Sequence, residues 1–544
     1  MVIGLDGATL QLVKPWAAEG RLPNLAEFLA SGAAGALRST LPPDSPTAWS
    51  TFATGLNPGQ HGVLSFYQWR PDAYKPEVMN ASRRRGATFW EIAGRHGIRG
   101  GVLNVPVTFP PRAYNGFLIS GLLTPTVGRR MASPPEIFDD LKAASPRYAI
   151  DVDMIAGGGR DPETFLRQVL ANLQARVEAA LGLYSRHRPA LFCVVFVAAD
   201  RICHYFWPFL EAARAGRAVT AAQKRLGGAI QRVYEELDKA VGALVAAAGD
   251  DTDVIVMSDH GAGGLRKRLD LRNLLAREGL LVKRPARPAE GLRRYAVSVF
   301  AHHAPPALKR WSKSLFPMLA HRAVGILAAQ GIDFHRTKAY PAGATQGVFV
   351  NLRGRQPSGI VEPGADYESV RDRIIAVLSG LCDPDTGRPV ARAVYRREEV
   401  WSGECLGQLP DVVMEQEDNV YSVPMFVQGG SEDVFCPLPE LNWSALQPLG
   451  GHRRDGLLLA RGPHIRRAEP HGANMADVPA TILALLGCPI PENFDGRVLS
   501  EILTDDVMVT DRTARADAGG EGADGLTEQE RAAVEKRLRG LGYV

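Results

Sequence analysis

Short apolar, β-branched runs alternate along this chain with long helical patterns, and no other feature restricts the fold as much. The runs are "VIGL" at 2–5, "GVLNV" at 101–105, "ALFCVVFVAA" at 190–199 and "DVIVM" at 253–257. Between them lie "PETFLRQVLANLQARVEAALGLYSRH" and "GGAIQRVYEELDKAVGALVAAAG", with apolar residues at helical spacing. Strands that are apolar on both faces and separated by helices predict an α/β fold: a three-layer α/β/α sandwich around a largely parallel sheet. In open sheets of this kind ligands bind outside the carboxyl ends of the strands.

Those ends carry acids. Asp6 follows "VIGL", Asp200 with His204 follows "FVAA", and Asp259 with His260 follows "DVIVMS". A single Asp after a strand is usually a turn or cap residue. Three acids and two histidines at three strand ends are harder to dismiss. In "DRICH" the i to i+4 spacing places Asp200 and His204 on one helix face, close enough to share an ion. His452, flanked by glycines in "LGGHRRDGLLLARGP", is a further candidate. Carboxylate and imidazole donors without thiolate suit zinc or manganese, and three acids with three histidines fit two divalent ions rather than one. The six cysteines are scattered with no C-x-x-C pair, which indicates neither a disulfide framework nor a cysteine zinc site and fits free thiols in a reducing compartment.

A second stretch, "PPDSPTAWSTFATGLNPGQHG" at 42–62, reads as a short helix with Ser45 as N-cap, Pro46 in the first helical position and Gly55 as the left-handed residue after its end. The Ser45 hydroxyl then sits where free N–H groups and the positive end of the helix dipole converge, a place for a phosphate as well as for an ordinary cap. A net charge of +4 over 544 residues is too weak to imply nucleic acid, so none is expected as a specific partner. "MVIGLDG" reads as a strand rather than a signal peptide, and no apolar run is long enough to span a membrane. A cytoplasmic protein is expected, although a strand at residue 1 leaves room for a start codon upstream.

In this order, "GLDGAT", "PTAWSTFATGLNPGQHGV", "NVPVTFPP", "VAADRICHYFW", "VMSDHGAGG", "GVFVNLRGR", "PDVVMEQ", "GGHRRDGLLLARGP" and "ADVPATILALLGCPIPENFDGRVL" resemble the alkaline phosphatase superfamily. The likeness is closest to its type I phosphodiesterase and nucleotide pyrophosphatase branch and covers roughly residues 1–500. The resemblance implies a metal-dependent phosphohydrolase in which Ser45 is the nucleophile and bridges two ions. Asp200, His204 and His452 would hold one ion; Asp6, Asp259 and His260 the other. It implies a phospho-Ser45 intermediate that water hydrolyses, and a small phosphate ester as substrate, a diester or pyrophosphate before a monoester. Other readings are a phosphomonoesterase, a transferase that passes a phospho-headgroup to an alcohol, or an inactive basic surface-binding protein on the same fold. A sulfatase is disfavoured because Ser45-Pro46-Thr47-Ala48-Trp49 lacks the C/S-x-P-x-R pattern. Two departures stand out: many relatives have an asparagine shortly after "HG", where this chain has Leu64, Ser65 and Phe66, and the nucleophile there is commonly threonine.

Several polar residues read as structural. His61 in "GQHG" ties down a loop, Asp44 is a solvated neighbour of the nucleophile, and Asp477 caps a helix closed by Gly487. Residues 1–505 are read as the catalytic domain. Within it, 264–335, rich in Arg and Lys and carrying His302 and His303, reads as an inserted helical cap, solvated by default and otherwise a lid or a peripheral membrane contact. A flexible linker at 506–525 leads to a short helix within 526–544, started by a Thr527/Glu530 capping box. The sequence sets no oligomeric state.

Overall fold

In the computed structural model, which describes residues 1–152, 161–284, 331–424, 431–509, 513, 515 and 526–540, the apolar runs form the middle of one eight-stranded sheet. Its strands lie in the order Ala33–Arg38, Asp455–Arg461, Val254–Met257, Val2–Leu5, Leu191–Phe196, Gly100–Leu103, Gly116–Ile119 and Ala132–Ser133. From Val254–Met257 across to Gly116–Ile119 every pairing is parallel. Asp455–Arg461 runs antiparallel between its two neighbours, and Ala132–Ser133 is antiparallel at the far edge. The run at 190–199 divides: Leu191–Phe196 is strand, while Ala198 and Ala199 already open the helix Ala198–Arg214.

Strand side chains alternate between two cores, as period-two geometry requires. Ile3, Leu5, Val194, Phe196, Val256 and Leu459 enter one core, against the helices Pro162–His187, Ala198–Arg214 and Ala229–Ala248. Val2, Cys193, Val195, Ile255, Met257 and Leu458 enter the other, against Ser45–Thr54, Phe89–Arg95 and Asp477–Leu485. Helices thus cover both faces, giving the expected three layers. Each fully buried aliphatic or phenyl side chain contributes about 1.5–3 kcal/mol.

A smaller antiparallel sheet, in the order Ala339–Pro341, Gly347–Val350, Val412–Gln416 and Ala391–Arg396, has its own apolar cluster, shared with the helix Ala365–Ser379. Of the segment 264–335, the strand Lys267–Leu269 and the helix Leu271–Arg277 bring Leu269, Leu271, Leu274 and Leu275 to this cluster. Residues 285–330, with His302 and His303, lie outside the described residues, as does most of 506–525. Thr527 and Glu530 form the reciprocal capping box of the helix Glu528–Gly540.

Asp477 stands in the first turn of its helix rather than at the N-cap, which is Ala476. Its carboxylate instead accepts from the backbone N–H groups of Asn474 (2.9 Å) and Arg497 (2.8 Å), closing the loops on either side. Among the described residues no helix is long and apolar enough to cross a membrane.

Candidate active site

Parallel register places the acids together. Leu5 pairs with Phe196, and the Asp6 N–H donates to the Phe196 carbonyl at 2.9 Å, so Asp6 and the start of the Asp200 helix leave the sheet side by side. Asp200 lies in the first turn of that helix and His204 one turn later, with His204 Nε2 3.2 Å from Asp200 Oδ1. His452 arrives on the strand Gly450–Arg453, which pairs with Gly261–Gly264 beside His260, and the two rings stack at 3.7 Å. Only glycine fits at position 450, where a Cβ would lie 2.0 Å from the Cys203 carbonyl oxygen.

Each imidazole is fixed in the same sense. Nδ1 faces a backbone carbonyl: Gly261 at 2.9 Å for His260, Gly450 at 3.0 Å for His204 and Pro43 at 2.7 Å for His452. A carbonyl only accepts, so Nδ1 carries the hydrogen and every Nε2 faces inward, where Asp200 raises the pKa of the His204 ring against its burial. Nε2 of His204 and Nε2 of His452 face each other at 3.0 Å, an approach that two lone pairs tolerate only with a proton or a metal ion between them. The carboxylates repeat the pattern, with one oxygen on a protein donor. Asp6 Oδ2 accepts from the Trp49 indole at 3.0 Å, Asp259 Oδ1 from the Gly7 N–H at 3.1 Å, and Asp200 Oδ2 from Arg201. Asp259 Oδ2, buried, has no hydrogen-bond partner and lies 3.3 Å from His260 Nε2.

Ser45 opens the helix Ser45–Thr54, whose N-cap is Asp44, so Ser45 is its first helical residue and Pro46 its second, one place later than the sequence reading has them. Gly55 closes the helix at φ 69° as expected. Freed from capping, the buried Ser45 Oγ lies 3.1 Å from His260 Nε2 and 3.5 Å from Asp6 Oδ1. The Thr47 hydroxyl is committed to the Leu64 carbonyl at 2.6 Å. Asp44 is half-buried rather than solvated, and burial raises its pKa against the opposing pull of His452. His61 is structural: Nδ1 accepts from the Val63 N–H at 3.0 Å and Nε2 meets the Thr51 hydroxyl at 3.0 Å, while burial and then the Arg84 charge lower its pKa to about 3 and keep the ring neutral.

The electrostatics ask for cations. Burial, then Asp259 and Asp200, hold the Asp6 carboxyl well above the usual range; burial, then Asp200, push Asp259 up to about 8. Asp200 stays ionised, because His204 and Arg201 outweigh its burial. Burial lowers His260 and His452 to about 4, so both keep bare nitrogen donors at neutral pH. The donor atoms fall into two ligand groups, Asp200 with His204 and His452, and Asp6 with Asp200 and His260. Asp200 therefore faces both groups, where the resemblance implied one. Asp259 adjoins the second through its unpartnered Oδ2. An orphaned buried carboxylate oxygen, converging imidazole nitrogens and three carboxyl groups crowded where a cation would favour their ionised forms all fit divalent ions.

Three residues of this arrangement escaped the sequence reading. Trp49 and Arg201 stand inside quoted motifs, and a charged or N–H-bearing side chain in an otherwise apolar helix start is the signal they left. Asp151, which pairs with Arg201, left none.

The sequence profile of type I phosphodiesterase / nucleotide pyrophosphatase matches residues 1–429. The chain belongs to this family. It is thereby a phosphoric ester hydrolase; the candidate ligand His452 lies beyond the matched stretch. No curated protein matches the chain in sequence. Among solved structures it is similar to murine ectonucleotide pyrophosphatase / phosphodiesterase 5, an inactive variant in complex with AMP, at 12% identity over 92% of this chain and 99% of that one, with a TM-score of 0.50. It is also similar to phosphonoacetate hydrolase from Sinorhizobium meliloti 1021 in complex with phosphonoformate, at 14% identity over 88% and 93% of the two chains, with a TM-score of 0.50. At these identities the likeness is one of fold, and the fold is that of the alkaline phosphatase superfamily.

Proposed function

We propose that this phosphohydrolase cleaves small phosphodiesters or pyrophosphates through a phospho-Ser45 intermediate at a two-metal centre. The observation that carries the reading is the gathering of three pinned imidazoles and three half-committed carboxylates into two adjoining ligand groups, with the buried Ser45 hydroxyl against His260 and Asp6 of one of them. Asp200, His204 and His452 would hold one ion, and Asp6, Asp259 and His260 with Ser45 the other. Two divalent ions, zinc or manganese by this donor set, supply the charge that lowers the pKa of the serine hydroxyl and neutralises phosphate oxygens.

The residues do the rest. Ser45 Oγ, fixed by the first turn of its helix, attacks phosphorus; an Oγ–P bond forms, the P–O bond to the leaving alcohol breaks, and that alcohol departs protonated. The N-terminus of the Ser45–Thr54 helix adds a positive dipole at the phosphoryl oxygens. Water then displaces Ser45, which recovers its proton. All six cysteines are free, which supports a reducing, cytoplasmic setting.

Initial rates on bis(p-nitrophenyl) phosphate and p-nitrophenyl phosphate, with added zinc or manganese and again after chelation, test the proposal. The diester is expected to turn over faster, and both activities should vanish with chelator. Faster monoester turnover would overturn the diester preference, and no turnover of either by metal-loaded protein would point to transfer onto an alcohol acceptor.

A further inference from the structure

Next to Asp200 on the same helix stands Arg201, whose side chain is 3% exposed. Consecutive helical residues diverge by about 100° and do not face each other, yet Arg201 Nη1 donates back to Asp200 Oδ2. The rest of the guanidinium is engaged by Asp151, whose side chain is fully buried: Nε donates to Oδ2 at 3.0 Å and Nη2 to the same oxygen at 2.8 Å, with Oδ1 at 3.2 Å from Nε. The fork thus spends one edge on Asp151 and one nitrogen on the metal-facing carboxylate.

Asp151 is itself braced. The buried Arg176, on the helix Pro162–His187, donates to the Ala149 carbonyl at 3.2 Å and the Ile150 carbonyl at 2.6 Å, and Asn172 adds a bond to Ala149 at 3.1 Å. A chain of hydrogen bonds therefore runs from one covering helix through the loop at 149–151 to Asp200. Burying a guanidinium beside three carboxylates is costly unless it is fully paired. Asp151 supplies that pairing and cancels its charge, so the pair adds direction to the site without adding net charge.

We infer that Arg201, braced by Asp151, is a positioning residue that holds Asp200 by Oδ2, keeping Oδ1 on His204 and His452 and the carboxylate as a whole within both ligand groups. The inference rests on the two-metal reading above. Because Asp200 faces both groups, loosening it weakens both ions together, unlike the loss of a ligand that belongs to one group.

The test is zinc affinity, measured by competition with a chromophoric chelator, and metal content after dialysis, on the whole chain. Arg201→Met/Asp151→Leu removes one charge of each sign, so neither member of the ion pair is left as a lone buried charge, while Asp200 Oδ2 loses its Arg201 donor and the Val152 N–H its Asp151 acceptor. Arg201→Lys keeps the charge without the fork and covers the case in which the double variant does not fold, as read by circular dichroism. Both ions are expected to bind about 10–100-fold more weakly in the double variant, with Arg201→Lys between it and the wild type. Wild-type affinity for both ions in folded Arg201→Lys and in the folded double variant, with only a lowered melting temperature, would overturn the inference and leave the two-metal reading standing. A wild-type chain that binds no zinc or manganese would overturn both.

Discussion

Replacing Ser45 by alanine separates a nucleophile from a cap. Asp44 is the N-cap and Ser45 makes no capping bond, so the usual cost of about 1 kcal/mol for deleting a serine cap does not apply. The buried hydroxyl lies 3.1 Å from His260 Nε2 and 3.5 Å from Asp6 Oδ1 and also bonds the Asp259 carboxyl, so stability should change by about 1 kcal/mol. The three imidazoles keep their carbonyl anchors, and metal content should stay at the wild-type level. Turnover, by contrast, loses its covalent route and should fall by about 1,000-fold or more, about 4 kcal/mol in barrier height. Rates on the diester, metal analysis of dialysed protein, and mass spectrometry of acid-quenched enzyme for a phosphoryl adduct on the 42–62 stretch read these outcomes separately. Turnover within tenfold of wild type, with no adduct in either protein, would refute the nucleophile and leave direct attack by water. Thr47 is not a ready substitute, since its hydroxyl is held on the Leu64 carbonyl.

Three further outcomes follow from other parts of the structure. His452→Ala removes a nitrogen from the ligand group with Asp200 and His204; metal content should fall by about one ion, excess zinc should restore part of the activity, and unchanged occupancy would refute the ligand assignment. His61 has a folded pKa of about 3, pushed down by burial and then by Arg84, against about 6.5 unfolded. Between those values the unfolded chain binds the extra proton, so the His61 contribution is present above about pH 6.5 and lost as pH falls. His61→Gln should flatten the dependence of unfolding free energy on pH by up to about 1.4 kcal/mol per unit between pH 4 and 6, read by denaturant titration. Asp411, fully buried, accepts from the Val350 N–H at 2.7 Å and the Tyr367 hydroxyl at 2.6 Å and pairs with Arg355 and Arg397. Asp411→Ala strands two guanidinium groups and should cost about 3–5 kcal/mol in denaturant titration while leaving zinc affinity unchanged.

What the sequence made legible was local. The strand Val2–Leu5 and the helix Pro162–His187 fall where their runs begin and end, because a doubly buried strand and a long amphipathic helix write their periods directly into the chain. Asp6, Asp200, Asp259 and His260 were visible because parallel strands deliver their carboxyl ends to one edge, and His204 because one helical turn separates it from Asp200. The second antiparallel sheet was not separated from the main domain, since strands such as Gly347–Val350 and Val412–Gln416 are short and look alike wherever they pair. Ser45 was placed one residue early because proline fits either of the first two helical positions, and Asp44 is as good a cap by composition as serine.

The orientation of the ligands is of another kind. Pro43, Gly261 and Gly450 fix three imidazoles with backbone carbonyls, which every residue carries, and so leave no mark in residue type. Trp49 and Arg201 do leave a mark, but each acts on a carboxylate whose role is set elsewhere, and the partner of Arg201 lies fifty residues away in a loop with no motif. A ligand held by both its atoms, one to the protein and one to the site, loses little further freedom when an ion binds. That preorganisation is a property of the pairs rather than of the residues, and it explains why a chain can display every candidate ligand in its sequence while hiding what aims them.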